Sequence, residues 1–208
     1  MRVVKSADER KNEILDVAEQ LFAEKGFDNA STNDIINRIG IARGTLYHHF
    51  ASKEEILDAL VERMTREGIA RSRAIVMNRD VPILERLTRA IMALNINTGA
   101  TSEVMEQIHK PQNALLHQKM QESLFSGVVP LFVQLIEEGN ESGMFDAKYP
   151  EEAAEMIMFY SSIAFDELSG NDPETKERKG KAFIYLTEKI LGAKENSLAA
   201  TIMKLINR

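Results

Sequence analysis

Apolar residues recur three and four positions apart along most of this chain and hardly anywhere in strict alternation. That period predicts amphipathic helices and no strands. The first helix opens on Ser6-Ala7-Asp8-Glu9, a capping box, and carries Ile14, Leu15, Ala18, Leu21 and Phe22 to Lys25-Gly26. Ser31 caps a second, short helix with Asp34 three residues on and Ile35, Ile36 and Ile39 on its apolar side, and Gly40 supplies its end. In Ala42–Phe50 only Leu46 and Phe50 look inward. Ser52-Lys53-Glu54-Glu55 is another capping box, opening a helix with Ile56, Leu57, Leu60, Val61 and Met64 that runs to about Val76. Pro82 begins the next, and a polar break from Asn95 to Thr101 precedes a short helix ending near His109. A long segment runs from Pro111 to about Glu138, with a kink or break predicted at Gly127 and Pro130. Helices launched at Pro150 and Asp172-Pro173, and a last one over 197–206, complete an all-α fold of about nine or ten helices.

Two short helices around a glycine-containing turn are the helix-turn-helix plan, whose second helix enters the DNA major groove. Gly44 is the odd residue in that second helix. A glycine inside an exposed helix costs about 1 kcal/mol relative to alanine, tolerable where something such as a DNA strand must approach the backbone. An ordinary two-helix loop in a bundle has the same pattern, and spacing alone leaves both readings open.

The run GIARGTLYHHFASKEEIL changes this. It resembles the signature of the tetracycline-repressor (TetR) family of bacterial transcription regulators: a Gly closing helix 2, a G-T-L-Y block, a Tyr-x-x-Phe close and Ser-Lys-Glu opening helix 4. The match covers roughly Glu13 to Leu60. The resemblance implies an N-terminal three-helix DNA-binding domain over 1–52 and a helical ligand-binding and dimerisation domain over 53–208. It also implies base contacts from Asn33, Arg43, Gly44 and Thr45, and phosphate contacts from Ser31, Thr32, Tyr47, His48 and Lys53. Arg43 is the foremost of these, since a guanidinium can pair with guanine O6 and N7 together. The family pairs its last two long helices across a two-fold axis, which marks Met156, Tyr160, Ile163, Ala164, Phe183, Leu186 and Ile190 as interface candidates. Ordinary core packing explains such apolar faces equally well. An effector pocket is also implied, and Met92, Asn95, Met105, His109, His117, Met120 and Tyr160 are candidates to line it. Methionine lining suits an apolar effector.

Charge pulls the other way. The net charge is −6, and the first sixty residues hold 8 Lys/Arg against 11 Asp/Glu. Yet no acid stands between Asp34 and Glu54, where Arg38, Arg43, His48, His49 and Lys53 fall. An acidic body with a small basic face is expected to bind DNA modestly and with strong salt dependence. The chain has no Cys, which excludes disulfides and thiolate chemistry and suits a reducing cytoplasm. No apolar run approaches a membrane span, and the N-terminus lacks a signal-peptide apolar region. Glu106-x-x-His109 has the spacing of carboxylate-bridged iron bundles, but no second copy occurs, so it is read as incidental. With no nucleophile elbow, phosphate loop or HExxH motif, neither an enzyme, a cofactor nor a metal is expected. The expectation is a homodimeric regulator, a repressor, released from a palindromic operator by a small-molecule effector. The alternative is a helical interaction protein that binds a protein partner on the same scaffold.

Overall fold

The structure is a computed structural model that describes residues 5–94, 99–164 and 172–206. Among them the chain is all-α, with ten helices and no strand. These are α1 (Ala7–Lys25), α2 (Thr32–Ile39), α3 (Arg43–His49), α4 (Lys53–Met77), α5 (Ile83–Leu94), α6 (Gly99–Ile108), α7 (Ala114–Glu141), α8 (Pro150–Ala164), α9 (Pro173–Leu191) and α10 (Ser197–Ile206), with a 3-10 turn at Pro111–Asn113 before α7. The expected capping box of Ser6 with Glu9 forms, and the expected cap Ser31 makes a full box with Asp34; at the third, Ser52 accepts from the Glu55 amide at 3.1 Å while the Glu55 carboxylate accepts from the Ala51 amide. The interruption expected near Gly127 and Pro130 does not end α7, which continues through both. Pro130 is exposed, so the single carbonyl its missing N–H leaves unpaired has access to water. The helix expected from Pro150 is described to Ala164.

The helices make two compact units. The first takes the described residues of 1–65 and 97–120, the second those of 66–96 and 121–208, so α4 and α7 each run from one unit into the other. In the first, α1 contributes Ile14, Leu21 and Phe22, α2 contributes Ile35, and Leu46 and Phe50 close over them. Ile56, Leu57 and Leu60 of α4 and Val104 and Ile108 of α6 complete that core. The compact unit therefore extends past the boundary drawn at residue 52 and takes in a helix from the middle of the chain. Spacing shows that α6 is amphipathic but not which core it joins.

The second core gathers Leu87 on α5, Phe132, Leu135 and Ile136 on α7, Ala154 and Ile157 on α8, and Phe183 on α9. Two buried charges organise its ends. On α5, Arg86 donates to the Val76 carbonyl at 2.9 Å and to both carboxylate oxygens of Glu138 on α7. On α9, Glu188 is buried and accepts from the Asn196 and Leu198 amides at 2.9 and 2.8 Å, capping α10 from outside its own sequence. Such a cap supplies acceptors for helix N–H groups that have no partner in their own helix. Glu188→Ala is expected to cost about 1–3 kcal/mol, the penalty for leaving buried donors unmet. Thermal unfolding measures the loss, and faster amide exchange at 196–199 locates it. No helix among the described residues is long and apolar enough to cross a membrane.

Candidate DNA-binding site

The candidate DNA-contacting surface is built from α2 and α3. Ser31 Oγ accepts from the Asp34 amide at 3.2 Å, and Asp34 returns a bond to the Ser31 amide at 2.9 Å. Lys25 donates to Asp34 at 2.8 Å. Lys25 first and Ser31 next hold the Asp34 carboxyl below its ordinary range, so the cap is complete at neutral pH and is lost only in acid. Gly40 then closes α2 at φ +73°, a left-handed value that glycine adopts without strain. Its amide bonds back to Ile36 at 2.9 Å, and the chain turns within two residues into α3.

With Leu46 and Phe50 buried, α3 presents Arg43, Gly44, Tyr47 and His48 outward, with Thr45 half-buried beside them. The Tyr47 hydroxyl meets Thr32 Oγ1 of α2 at 3.3 Å, tying the two helices together at the surface. The Arg43 guanidinium lies over the Tyr47 ring, 5.3 Å from its centre. Among the described residues no carboxylate pairs with Arg43, whereas Arg38 is held by both oxygens of Glu24 at 2.9 and 2.8 Å. A β-carbon added at Gly44 would meet no atom within 4 Å among the described residues. Nothing in the fold asks for a glycine there. Asn33 is exposed and Thr32 half-buried at the start of α2, and the Thr32–Tyr47 and Arg43–Tyr47 contacts bring that end of α2 beside the outward residues of α3. His49 is half-buried, and burial first, then His48 and the α1 residues Arg10 and Lys11, lower its pKa. Ahead of α1, Lys5 pairs with Glu13 at 2.6 Å.

Lys53 is placed differently from the others. Its Nζ donates to the carbonyls of Phe27 at 2.7 Å and Ala30 at 3.0 Å, and sits 4.3 Å from the Phe27 ring centre. These carbonyls supply the negative partner that a lysine at a helix N-terminus calls for. The same connection is fastened from α6, where Glu103 accepts the Phe27 amide at 2.9 Å, and from just beyond it, where Lys110 pairs with Asp28 at 2.9 Å. Sequence reasoning missed this clasp, because its partners lie 76 and 82 residues apart. Lys53→Ala is expected to cost about 1.5–3 kcal/mol, as for other hydrogen bonds from charged groups. Comparing the thermal unfolding of the variant with that of wild type checks it.

The remaining sequence candidates spread over both units. Met105 and Met120 pack against the first core; His109 donates to the Met105 carbonyl at 2.7 Å and lies 4.7 Å, ring to ring, from His117. Met92 is exposed on α5 in the second unit, and Tyr160 stacks on Phe183 at 6.2 Å. Asn95 falls outside the described residues. The described residues hold no group of three or more His, Asp or Glu side chains placed for a metal. An open cleft of about 550 Å³ in the second unit is lined by Tyr149, Met156, Ile190 and charged neighbours, and by none of the effector candidates. Of the interface candidates, Met156 and Leu186 face solvent, Ile190 is half-buried, and Phe183 is buried in the chain's own core. Phe159 and Tyr185, absent from the sequence set, are more than half exposed on α8 and α9. The side chains of Ile163 and Ala164 lie outside the described residues.

Residues 14–60 match the model of bacterial regulatory proteins of the tetR family, and residues 96–184 match the tetracyclin repressor-like C-terminal domain. The chain belongs to the TetR family. Over 92 residues it is 42% identical to the HTH-type transcriptional repressor KstR2 of Mycobacterium tuberculosis, covering 44% of this chain and 46% of that protein. With the HTH-type transcriptional regulator UidR of Escherichia coli K12 it shares 39% over 67 residues, 32% of this chain and 34% of that one. The chain thus spans less than half the length of the curated relatives it matches. Among solved structures, a TetR-family regulator from Pectobacterium atrosepticum aligns over 91% of this chain and 98% of its own, at 21% identity and a TM-score of 0.69. GusR of Salmonella enterica aligns over 89% and 96%, at 21% and 0.59. These similarities show the TetR fold across both units, beyond the quarter of the chain that carries the sequence signature.

Proposed function

We propose that this TetR-family chain is a sequence-specific DNA-binding transcriptional regulator, a repressor that binds a palindromic operator as a homodimer and leaves it when a small-molecule effector binds. One observation carries the reading: α3 displays an arginine without a carboxylate partner beside a glycine that the fold does not require. Arg43, Gly44, Thr45 and Asn33 are assigned to base edges, and Ser31, Thr32, Tyr47 and His48 to phosphates. Two-fold symmetry places a reading helix on each half-site, with centres about 34–36 Å apart or a multiple of that. The exposed apolar face of α8 and α9, with Met156, Phe159, Tyr185 and Leu186, supports the dimer, since an isologous interface needs one self-complementary patch. In this reading 1–52 bears the DNA contacts, and 53–208 the effector and the partner copy. The effector is an apolar small molecule, in keeping with the methionine-rich candidates.

Selection of bound fragments from sheared source-genome DNA, at two salt concentrations, tests this. Recovery of a palindrome is expected; recovery of no preferred sequence, with and without candidate effectors, refutes it. Lys53 is resolved in the same assay. If it also grips a phosphate, Lys53→Ala lowers the salt slope by about one unit per contact. An unchanged slope alongside lowered stability assigns Lys53 to the Phe27–Ala30 turn alone.

A further inference from the structure

We propose that Tyr47 is a specificity-positioning residue: its ring is the platform that holds the Arg43 guanidinium edge-on to the base it reads. This rests on the regulator reading and adds a role to Tyr47 beyond a phosphate contact.

The geometry joins three side chains in series. Thr32 meets the Tyr47 hydroxyl at 3.3 Å, which anchors the end of the ring against α2. The guanidinium of Arg43, one helical turn before Tyr47, lies over that ring at 5.3 Å from its centre. Tyr47 is 40% exposed, so the stack forms at the surface, on the same side as Gly44. After Thr32, Arg43 also lowers the pKa of the Tyr47 hydroxyl by hydrogen bonding, so the guanidinium leans to that end of the ring, and its remaining N–H groups are those left to pair with guanine O6 and N7. The two engagements do not compete. A free arginine carries large rotamer entropy, and a stack that removes part of it before DNA arrives leaves less to lose on binding. Among the described residues no acid competes for this guanidinium.

The platform makes a prediction that a phosphate grip does not. Losing a phosphate contact weakens all sequences alike, whereas losing a platform flattens preference at the single base pair that Arg43 reads. Base preference is measured with the full chain on a randomised half-site library, for wild type, Arg43→Ala, Tyr47→Leu, Tyr47→Phe and the double variant Arg43→Ala/Tyr47→Leu. Circular dichroism confirms that each is folded. Arg43→Ala is expected to lower discrimination at one base pair per half-site by about tenfold. Tyr47→Leu should flatten the same base pair, and add no further flattening once Arg43 is gone. Tyr47→Phe keeps the ring and should keep the preference, even as overall affinity falls.

Tyr47→Leu that weakens every sequence equally with its base preference intact overturns the proposal, as does Tyr47→Phe that flattens as much as Tyr47→Leu. Arg43→Ala with unchanged preference overturns it too. A wild-type chain that enriches no sequence at all refutes the regulator reading itself, before any variant is compared.

Discussion

Gly44→Ala should make the protein more stable and a poorer DNA binder. Nothing in the fold occupies the space where the methyl group would go, and α3 is otherwise regular there. The substitution is therefore expected to stabilise the free chain by about 1 kcal/mol, the ordinary difference between glycine and alanine in a helix. If the glycine is there to admit a DNA strand, the same methyl group crowds the interface, and overpacking of a fitted contact costs about 1–3 kcal/mol. Thermal unfolding and operator affinity, measured on one preparation, should move in opposite directions. Stabilisation without loss of affinity removes the close-approach argument for α3.

Arg86→Ala is expected to have the largest effect on the fold, about 3 kcal/mol, because it empties a buried site and takes the donor from the Val76 carbonyl and from the part-buried Glu138 carboxylate. Arg86 is 2% exposed. It closes the end of α4 through the Val76 carbonyl and neutralises Glu138 on α7. Replacing Arg86 and Glu138 together by Leu should restore part of the loss, since removing both members of a buried pair is far cheaper than removing one. Denaturant unfolding of the two single variants and the double variant measures this coupling. The pair also sets an acid limit. Arg86 holds the Glu138 carboxyl below its ordinary value, so its contribution is complete above the usual carboxylate range and is lost as pH falls below it. Arg86→Ala should therefore lose less further stability between neutral and acid pH than wild type does.

Local signals were legible in the sequence wherever the partners are neighbours in the chain. Ser6 with Glu9, Ser31 with Asp34, and the glycines closing α1, α2 and α9 are all read within a few residues, and the helices stand where that spacing put them. The outward set Arg43, Tyr47 and His48 followed from the two inward positions Leu46 and Phe50. What spacing could not carry was pairing between distant segments. Lys53 was assigned a phosphate contact by resemblance, and nothing in the spacing pointed to the partners it has within the chain, carbonyls 23 and 26 residues earlier. Glu188 was invisible as a cap because a helix-start pattern looks only at neighbouring residues, and its donors follow a turn at Asn196. Phe183 shows the other limit: an apolar residue on a candidate interface helix is as ready to serve its own core as a partner's, and only packing decides.

The joining of α6 to α1 bears on how such a regulator can be recombined. The chain passes between its two compact units three times, after 65, after 96 and after 120. A hybrid that exchanges the head at a single junction near residue 52 would separate Phe27 and Asp28 from Glu103 and Lys110. It would also expose the seat of Val104 and Ile108 in the first core. Transplanting the reading specificity of this chain onto another body therefore calls for two inserted pieces, 1–65 and 97–120, carried over as a matched set.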